Sequence, residues 1–347
     1  MKKETATESK NFLFRPIEGL ENNYLITDKN GRSHEMVELI GPTGHPAFMV
    51  DGKARRVFVG KYQVSSYNDE KLYVTQKNGC VAHSINFDDA NKLCNELNNG
   101  DTITGFHLMT NAEWAAAAMM SHEVMKGERV QGNNRSGKDY TSSKIMGTPE
   151  PGKKDFDEWP ARWLAGSGGI KTSHNGNESG IYDFNGNVWE WVKGLRLNDG
   201  EIQIIPNNDA ALSSADVSKD SPAWRAILED GSLVEPGTAD TLKFNRGGDI
   251  SKTTERGWDG KKFKTIECAK DVNPDCAGIE LLKKLGVFPL TADLHEDYFW
   301  YDNSGENVPL RGGLWGDDAY AGLFNLYLDY ERGNEGGGIG FRIAFVL

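Results

Sequence analysis

The last 37 residues, 311–347, constrain the fold most strongly, because they combine strand patterning with an unusual polar middle. They begin with Arg311-Gly312-Gly313 and end with an alternating apolar segment, Ile339–Phe345, which predicts a strand half buried against a core. Between these ends, Asp, Tyr, Gly and Asn alternate with apolar residues. Tyrosine offers a stiff contact surface with a polar tip, and Asp, Asn and Gly adapt their hydrogen bonding. This composition is typical of a binding surface, and equally of a glycine-rich meander that closes a β-sheet.

Length and charge exclude several classes of protein. A chain of 347 residues can form one large domain or two ordinary ones, and 38% hydrophobic residues are enough for a packed core. The formal charge of −12 and the lack of a basic cluster argue against nucleic acid as a partner and against an anionic membrane surface. No apolar run is long enough for a membrane span.

The first ten residues carry two lysines but no apolar segment behind them. They therefore predict a flexible N-terminal arm rather than a signal peptide, and a protein made in the cytoplasm. The four cysteines have neither C-x-x-C nor zinc-site spacing. We find no internal repeat and no linker, so residues 11–347 are expected to form a single domain, with an insert at about 195–309.

Local patterns predict a few elements along the chain. Residues 56–65 alternate as a strand should. Asn86 is placed to cap a helix whose apolar stripe begins at Phe87. A Thr110/Glu113 capping-box pattern predicts a second helix, which runs to about residue 126. A short helix is expected over Ala277–Leu285, ended by Gly286.

The segment GIYDFNGNVWEW at 180–191 closely resembles the signature of the formylglycine-generating enzyme (sulfatase-modifying factor) family, whose members have a C-type-lectin-like fold. Other segments resemble motifs of that family in the same order along the chain: VFVGKYQVSSYN (57–68), GFHLMTNAEWAAAA (105–118), RGGLW (311–315) and GIGFRIA (338–344). The resemblance implies an α+β, C-type-lectin-like fold of the formylglycine-generating-enzyme subclass with long loop insertions.

The same resemblance does not imply activity. The oxygen-dependent enzymes of that family carry two reactive cysteines shortly after the R-G-G motif, where thiolates would bind copper. Here residues 316–322 occupy that place and contain no cysteine, and none follows Cys276. We therefore expect no enzyme activity and no copper, because a shared fold does not by itself carry a function.

The C-terminal segment also resembles the variable region of proteins diversified by diversity-generating retroelements. In that family, adenines of a template repeat, mostly in Asn codons, are copied with random substitution into the 3′ end of the gene. The resemblance implies ten variable, ligand-binding positions within the region of about 311–347: Leu314, Gly316, Asp317, Tyr320, Tyr327, Asp329, Tyr330, Asn334, Gly336 and Gly338. The interleaved scaffold would be Trp315, Ala319, Ala321, Gly322, Leu323, Phe324, Leu326, Leu328, Ile339, Gly340 and Phe341.

The genetic code offers one check of these positions. Changing the first two bases of an Asn codon cannot produce Lys, Glu, Gln, Met or Trp, and none of the ten positions carries one of these. Two residues depart from the pattern, Asp318 in place of Gly and Gly333 in place of Ser. Among the variable residues, Tyr320, Tyr327 and Tyr330 are the expected hot spots of binding, with ordinary half-buried sheet aromatics as the alternative.

The family resemblance further implies a calcium ion near the G-N-V-W-E-W turn. By position, Asn187 and Glu190 are its candidate ligands, together with backbone carbonyls. The alternative is that Asn187 stabilises the turn and Glu190 pairs with an arginine. Seven scattered histidines show no transition-metal spacing.

The sequence thus predicts a diversified receptor-binding protein. Its ligand would be a variable protein or glycan on a target cell surface, and without a signal peptide it would leave the cell as part of a phage particle. The first alternative is a bacterial surface or envelope binder that is exported by another route or stays cytoplasmic. The second is a copper-dependent oxidase of the parent family. An oligomer would favour multivalent binding.

Overall fold

The computed structural model describes residues 14–42, 44–67, 70–152 and 161–347, so the expected arm at 1–10 lies outside the described residues. This part of the chain is rich in sheet and has three α-helices: α1 (Phe87–Asn95), α2 (Asn111–Val124) and α3 (Ala277–Lys284). The α+β prediction is confirmed. None of the described helices has the length and apolar character that crossing a membrane requires.

The strands are short. Those before the insert are β1 (Phe14–Pro16), β2 (Asn23–Thr27), β3 (Ser33–Glu38), β4 (Met49–Val50), β5 (Lys53–Ala54), β6 (Val57–Gly60), β7 (Ser65–Tyr67), β8 (Glu70–Val74), β9 (Cys80–Val81), β10 (Phe106–Leu108) and β11 (Trp189–Trp191). Those that follow are β12 (Leu195–Asn198), β13 (Glu201–Ile204), β14 (Arg225–Ile227), β15 (Leu233–Val234), β16 (Lys243–Phe244), β17 (Ile250–Ser251), β18 (Trp258–Lys262), β19 (Tyr298–Asp302), β20 (Glu306–Asn307), β21 (Leu310–Gly312), β22 (Gly322–Leu328), β23 (Ile339–Phe341) and β24 (Ile343–Val346).

Three larger sheets organise these strands. The terminal sheet has the order β1-β2-β3-β6-β24-β10, and the central sheet has the order β18-β19-β22-β21-β11-β23. The insert sheet has the order β15-β14-β13-β12-β20, with β16 and β17 attached through β13. Two small sheets, β4-β5 and β8-β7-β9, complete the set. The last three strands therefore belong to two different sheets, β22 and β23 to the central sheet and β24 to the terminal sheet.

The predicted helix starts are confirmed. Asn86 accepts a hydrogen bond from the Asp89 N–H at the start of α1, and Thr110 and Glu113 form a reciprocal capping box at the start of α2. Helix α2 ends at Val124, two residues earlier than predicted, because the backbone turns to a positive φ of 53° at Lys126. Gly286, with φ of 61°, follows α3 as the sequence predicts.

The single strand predicted over residues 56–65 is wrong. The segment forms β6 and then β7, and residues 61–64 between them leave the strand. Two buried polar side chains explain the break, since each has a distant partner. Lys61 donates from Nζ to Asn23 Oδ1 at 2.7 Å, and Gln63 donates from Nε2 to Glu190 Oε1 at 2.9 Å.

The half-buried strand predicted over Ile339–Phe345 is also wrong. Strand β23 pairs in parallel with β11 of the central sheet, whereas β24 pairs with β6 and β10 of the terminal sheet. Both faces of the segment are buried, and the chain changes sheet at Arg342. The sequence pattern misled because Arg342, a charged residue, is itself fully buried.

Arg342 forms a buried ion pair with Glu190 of β11. Its Nε donates to Glu190 Oε2 at 2.9 Å and its Nη2 to Glu190 Oε1 at 2.7 Å. The same guanidinium donates to the carbonyl oxygens of Gly60 (2.8 Å) and Tyr182 (3.0 Å) and lies 4.8 Å from the Phe184 ring centroid. One side chain therefore ties together the terminal sheet, the central sheet and the turn that precedes β11.

Arg311, the first residue of the R-G-G motif, is also buried and also connects distant parts of the chain. Among the described residues no carboxylate pairs with it. Its guanidinium donates to Asn111 Oδ1 at the start of α2 and to the carbonyl oxygens of Gly286 (3.0 Å) and Asn325 (3.3 Å). Burial lowers the pKa of this group to about 9. Strand β21 is thereby fixed against two helices and against β22.

The insert extends the central sheet. Strand β19 pairs in parallel with β22, with Phe299 opposite Leu326, and β18 pairs antiparallel with β19. Just before β19, the buried Asp297 accepts a hydrogen bond from the Phe324 N–H at 2.8 Å, so the insert also fixes the start of β22.

We predict that removing one partner of the buried ion pair destabilises the protein strongly. Arg342→Met would leave the Glu190 carboxylate buried without its cation, at a cost of about 3–5 kcal/mol in the free energy of unfolding measured with urea. The control is Arg135→Met, which breaks a half-exposed pair with Asp318 and should cost less than about 1 kcal/mol. Equal losses in the two variants would show that the buried pair has no special role.

We also predict a pH dependence of stability from Asp297. Burial raises its pKa to about 7, so the folded state binds a proton more tightly than the unfolded state, and stability from this group is lost as the pH rises from about 4 through 7. Asp297→Asn should therefore be more stable than the parent at pH 8, by about 3–4 kcal/mol because each unit of pKa shift is worth about 1.4 kcal/mol, and equal to it at pH 4. Urea unfolding at both pH values measures this, with the exposed Asp293→Asn as control. An unchanged pH profile in Asp297→Asn would refute the assignment.

Candidate functional site

The ten variable positions implied by the sequence share one property in the structure, since every one of them is partly or fully exposed. They occupy the loop between β21 and β22, the outer side of β22 and the loop between β22 and β23. Of the eleven scaffold positions, all are buried except Trp315 and Ala319. The ten positions therefore lie on the loops that flank β22 and, at Tyr327, on β22 itself, and most of the scaffold positions between them are buried.

The first loop is ordered by its own acidic residues. The Leu314 N–H donates to Asp317 Oδ2 at 2.8 Å, and burial raises the pKa of Asp317 to about 7 although that hydrogen bond opposes the shift. Asp318 has a positive φ of 51° and pairs with Arg135. This conformation favours glycine, the residue that the variable-region pattern of retroelement-diversified proteins has at position 318. Aspartate tolerates a positive φ better than most residues, so it can replace glycine here.

The three expected tyrosines belong to one continuous row of rings. Ring centroids are 4.7 Å apart for Tyr320 and Tyr298, 4.3 Å for Tyr298 and Trp300, 5.4 Å for Trp300 and Tyr327, and 5.1 Å for Tyr327 and Tyr330. We call these five residues the aromatic row. Tyr320 is 45% exposed and the other four are partly exposed, so the row presents stiff apolar surface to solvent.

Burial raises the pKa of the Tyr327 phenol, and nearby Asp329 raises it further. The pKa of Asp329 is itself raised by burial. Tyr327 therefore stays a neutral hydroxyl at physiological pH, able to donate a hydrogen bond. Its ring also lies 5.2 Å from that of the buried Trp189 of β11, which fixes the middle of the row against the core.

The glycines of the C-terminal segment fall into two physical groups. At Gly316 and Gly336 the backbone has no positive φ, and an added Cβ would come no nearer than 3.3 Å and 3.7 Å to other atoms. At Gly322 an added Cβ would lie 2.0 Å from Asp297 Oδ1, and at Gly340 it would lie 2.5 Å from the Ala82 carbonyl oxygen. Gly336 has room for a side chain, Gly316 would need a small shift of the Leu314 side chain, and Gly322 and Gly340 have no room.

Gly338 is intermediate. An added Cβ would lie 3.1 Å from the Leu314 side chain, itself partly exposed and at another variable position. Its carbonyl oxygen accepts a hydrogen bond from the Trp189 N–H at 2.8 Å, which fixes the backbone whatever side chain is present. A substitution at Gly338 would thus be accommodated by a small shift of Leu314.

Sequence reasoning missed the contribution of the insert. Tyr298 and Trp300 lie on β19, and Trp258 of β18 is 65% exposed and donates its indole N–H to Asp329. The run Tyr298–Asp302 contains four aromatic residues in five, and its alternation places Phe299 and Tyr301 in the core. The alternation can be recognised in the sequence, but the pairing of β19 with β22 cannot be predicted from it.

Asn187 and Glu190, the candidate calcium ligands, have no free oxygen. Asn187 Oδ1 accepts hydrogen bonds from Asn133 Nδ2 and from the Trp163 N–H, both at 3.0 Å. Both carboxylate oxygens of Glu190 face the Arg342 guanidinium, a cation that stands where a metal ion would have to be. The two residues as arranged do not fit calcium, and instead stabilise the turn and the ion pair. Within the described residues, no group of three or more His, Cys, Asp or Glu side chains is placed to hold a metal ion.

Comparison with known proteins supports the reading of the motifs. Residues 47–346 match the family described as Sulfatase-modifying factor enzyme 1-like domain. No curated protein matches the chain. Among solved structures, PvdO from Pseudomonas aeruginosa is similar with 15% sequence identity and a TM-score of 0.38, over 93% of this chain and 98% of that one. Treponema denticola variable protein 1 is similar with 13% identity and a TM-score of 0.33, over the same shares of the two chains.

The family match covers most of the chain and includes the insert. It confirms the fold class expected from the motifs, a C-type-lectin-like α+β fold with long insertions. The family includes enzymes, so membership alone leaves the activity to be argued from the site. The chain belongs to the sulfatase-modifying factor enzyme 1-like family.

Proposed function

We propose that this protein is a non-enzymatic ligand-binding protein whose C-terminal surface is diversified by a retroelement. The ten positions from Leu314 to Gly338 would form the variable part of the binding surface. The fold beneath them, a single domain over residues 11–347, would remain constant while the surface changes.

The observation that carries this proposal is the division of the C-terminal segment into replaceable and irreplaceable positions. All ten positions are at least partly exposed, and the interleaved apolar residues of β22 and β23 are buried. The contrast between Gly336, which has room for a side chain, and Gly340, which has none, follows the same division. A surface with this property can change its chemistry without loss of the core.

The aromatic row supports binding rather than a purely structural role. A half-exposed Tyr320 and the partly exposed Tyr327 and Tyr330 form part of a single apolar surface whose conformation is fixed by ring contacts. Rigid aromatic residues lose little conformational entropy on binding and are enriched in hot spots. The surface is therefore preorganised for a ligand.

The ligand would be a protein or glycan on the surface of a target cell, and the protein would be presented on a phage particle. A bacterial surface or envelope location is the alternative. In either setting an oligomer would raise the effective affinity through multivalent contact. The ordinary aspartate and glycine residues at 316–322, where oxidases of the family need cysteines, favour binding over catalysis.

Sequencing the gene's neighbourhood tests the diversification directly. We expect a reverse transcriptase gene close by, together with a near-copy of the codons for residues 311–347 that differs from them at adenines. The differing codons should be those of the ten positions. A neighbourhood with neither element would contradict retroelement diversification and leave a constant binding protein.

A matched pair of substitutions tests the division of the segment. Gly336→Ser should change the free energy of unfolding by less than about 0.5 kcal/mol, as at an ordinary surface position. Gly340→Ser introduces the same side chain against the Ala82 carbonyl and should cost about 1–3 kcal/mol or prevent folding. Urea unfolding followed by tryptophan fluorescence measures both variants. Similar losses in the two would show that exposed and buried positions are not distinguished as proposed.

A further inference from the structure

Strands β18 and β19 of the insert continue the outer face of the central sheet beyond the variable region. In the register of the sheet, Trp300 lies opposite Tyr327 of β22, and Gly260 of β18 lies opposite Trp300 on its other side. The variable strand and the insert hairpin therefore share one continuous face. None of the insert residues on it falls within 311–347, so they stay constant when the C-terminal segment is changed.

Close packing fixes the rings on this constant part. An added Cβ at Gly260 would lie 2.5 Å from the Tyr298 ring and 2.7 Å from the Trp300 ring, so both rings lie directly over the glycine backbone. The Tyr298 hydroxyl donates to the Gly260 carbonyl oxygen at 2.9 Å. Tyr298 and Trp300 are thus held against the hairpin, and both remain partly exposed.

Trp258 stands at the open end of the hairpin. Its side chain is the most exposed among the large hydrophobic residues of the described chain, at 65%. Its indole N–H is bonded to the carboxylate of Asp329, which fixes the ring and turns its apolar face to solvent. A tryptophan held in this way, with its only donor occupied, offers the π-face to a ligand.

Two carboxylates lie beside Trp258. Asp302 is its cross-strand partner and Asp329 accepts its indole N–H, and both carboxylates are partly exposed, whereas Asp259 lies on the opposite face of β18. Burial is the main cause of the raised pKa of Asp329, and repulsion from the negative charge of Asp302 raises it further. A bound cation would relieve this repulsion, whereas a neutral sugar would not.

The hairpin's own cations are engaged elsewhere. Lys261 pairs with Asp249 at 2.6 Å, and Lys262 pairs with Glu296. Arg256, two residues before Trp258, donates from Nε to the Ser304 hydroxyl at 2.7 Å. Among the described residues, neither Asp302 nor Asp329 forms an ion pair with these or other cations, so both carboxylates are available to a bound cation.

We propose that Trp258, Trp300 and Asp302, which share one face of the hairpin, form a constant half-site that accepts an arginine side chain of a protein ligand. The planar guanidinium would stack on an indole face and donate its fork of N–H groups to a carboxylate. The inference rests on the proposed binding function and names the class of partner, a protein that presents an exposed arginine. The variable residues would then select among such proteins by the surroundings of that arginine.

Titration of the full chain with two small probes tests the half-site. The probes are N-acetyl-arginine methylamide and its neutral isostere N-acetyl-citrulline methylamide, and indole N–H signals in NMR report binding. The Trp258 signal is identified by its loss in Trp258→Phe. We expect the Trp258 signal to shift with the arginine probe and the apparent affinity for the citrulline probe to be at least about fivefold weaker. Asp302→Asn should reduce this preference, while Ile40→Ala, which truncates an exposed apolar residue after β3, should leave it unchanged.

Three results would overturn the half-site. They are no shift of the Trp258 signal, equal affinity for the two probes, and stronger shifts of the same signal by N-acetylglucosamine or galactose than by the arginine probe. If Trp258→Phe fails to fold, Asp302→Asn decides between the outcomes, with Asp259→Asn on the opposite face of β18 as its matched control. A negative titration would not contradict the proposed diversification, which is tested by the codons of residues 311–347. Conversely, the lack of a template repeat would contradict diversification but would not contradict arginine binding at the half-site.

Discussion

The buried pairing of Arg342 with Glu190 is the interaction on which the arrangement of the sheets depends. It stands where the chain leaves the central sheet for the terminal sheet, and it also holds the turn before β11 through the Tyr182 carbonyl. Two charges placed in an apolar interior are costly unless every donor and acceptor finds a partner. Here the guanidinium satisfies a carboxylate and two carbonyls. The pairing therefore stabilises one arrangement of the sheets and penalises others.

Arg311 and Asp297 extend the same principle to the proposed binding surface. Arg311 fixes β21 against two helices, and Asp297 fixes the start of β22 from the insert side. The loops that we propose to be variable thus leave from backbone that is held by buried polar contacts. Because these contacts lie beneath the surface, substitutions at the exposed positions would leave them in place.

Sequence reasoning succeeded where the determinants are local. The cap at Asn86 and the box at Thr110 specify helix starts from four consecutive residues. The division of 314–341 into exposed and buried positions agrees with the motif, although β22 and β23 are buried at every residue except Tyr327 and the other exposed positions lie in loops. Sequence reasoning failed at Lys61 and at Arg342, where a buried polar side chain breaks the strand to reach a distant partner. It also missed Trp258 and Trp300, because their place in the site depends on β19 pairing with a strand outside the insert.

The position of the last three strands has a consequence for the order of folding during synthesis. Strands β22 and β24 lie inside their sheets rather than at an edge, yet each is synthesised after the strands on both of its sides. The earlier strands β19, β21 and β6 therefore remain without these neighbours until the C-terminal segment has been synthesised. A chain whose C-terminal segment cannot pack leaves both sheets unfinished and exposes their edges to degradation. Under the proposed diversification, folding itself would therefore test each new version of the segment before the protein could bind a ligand.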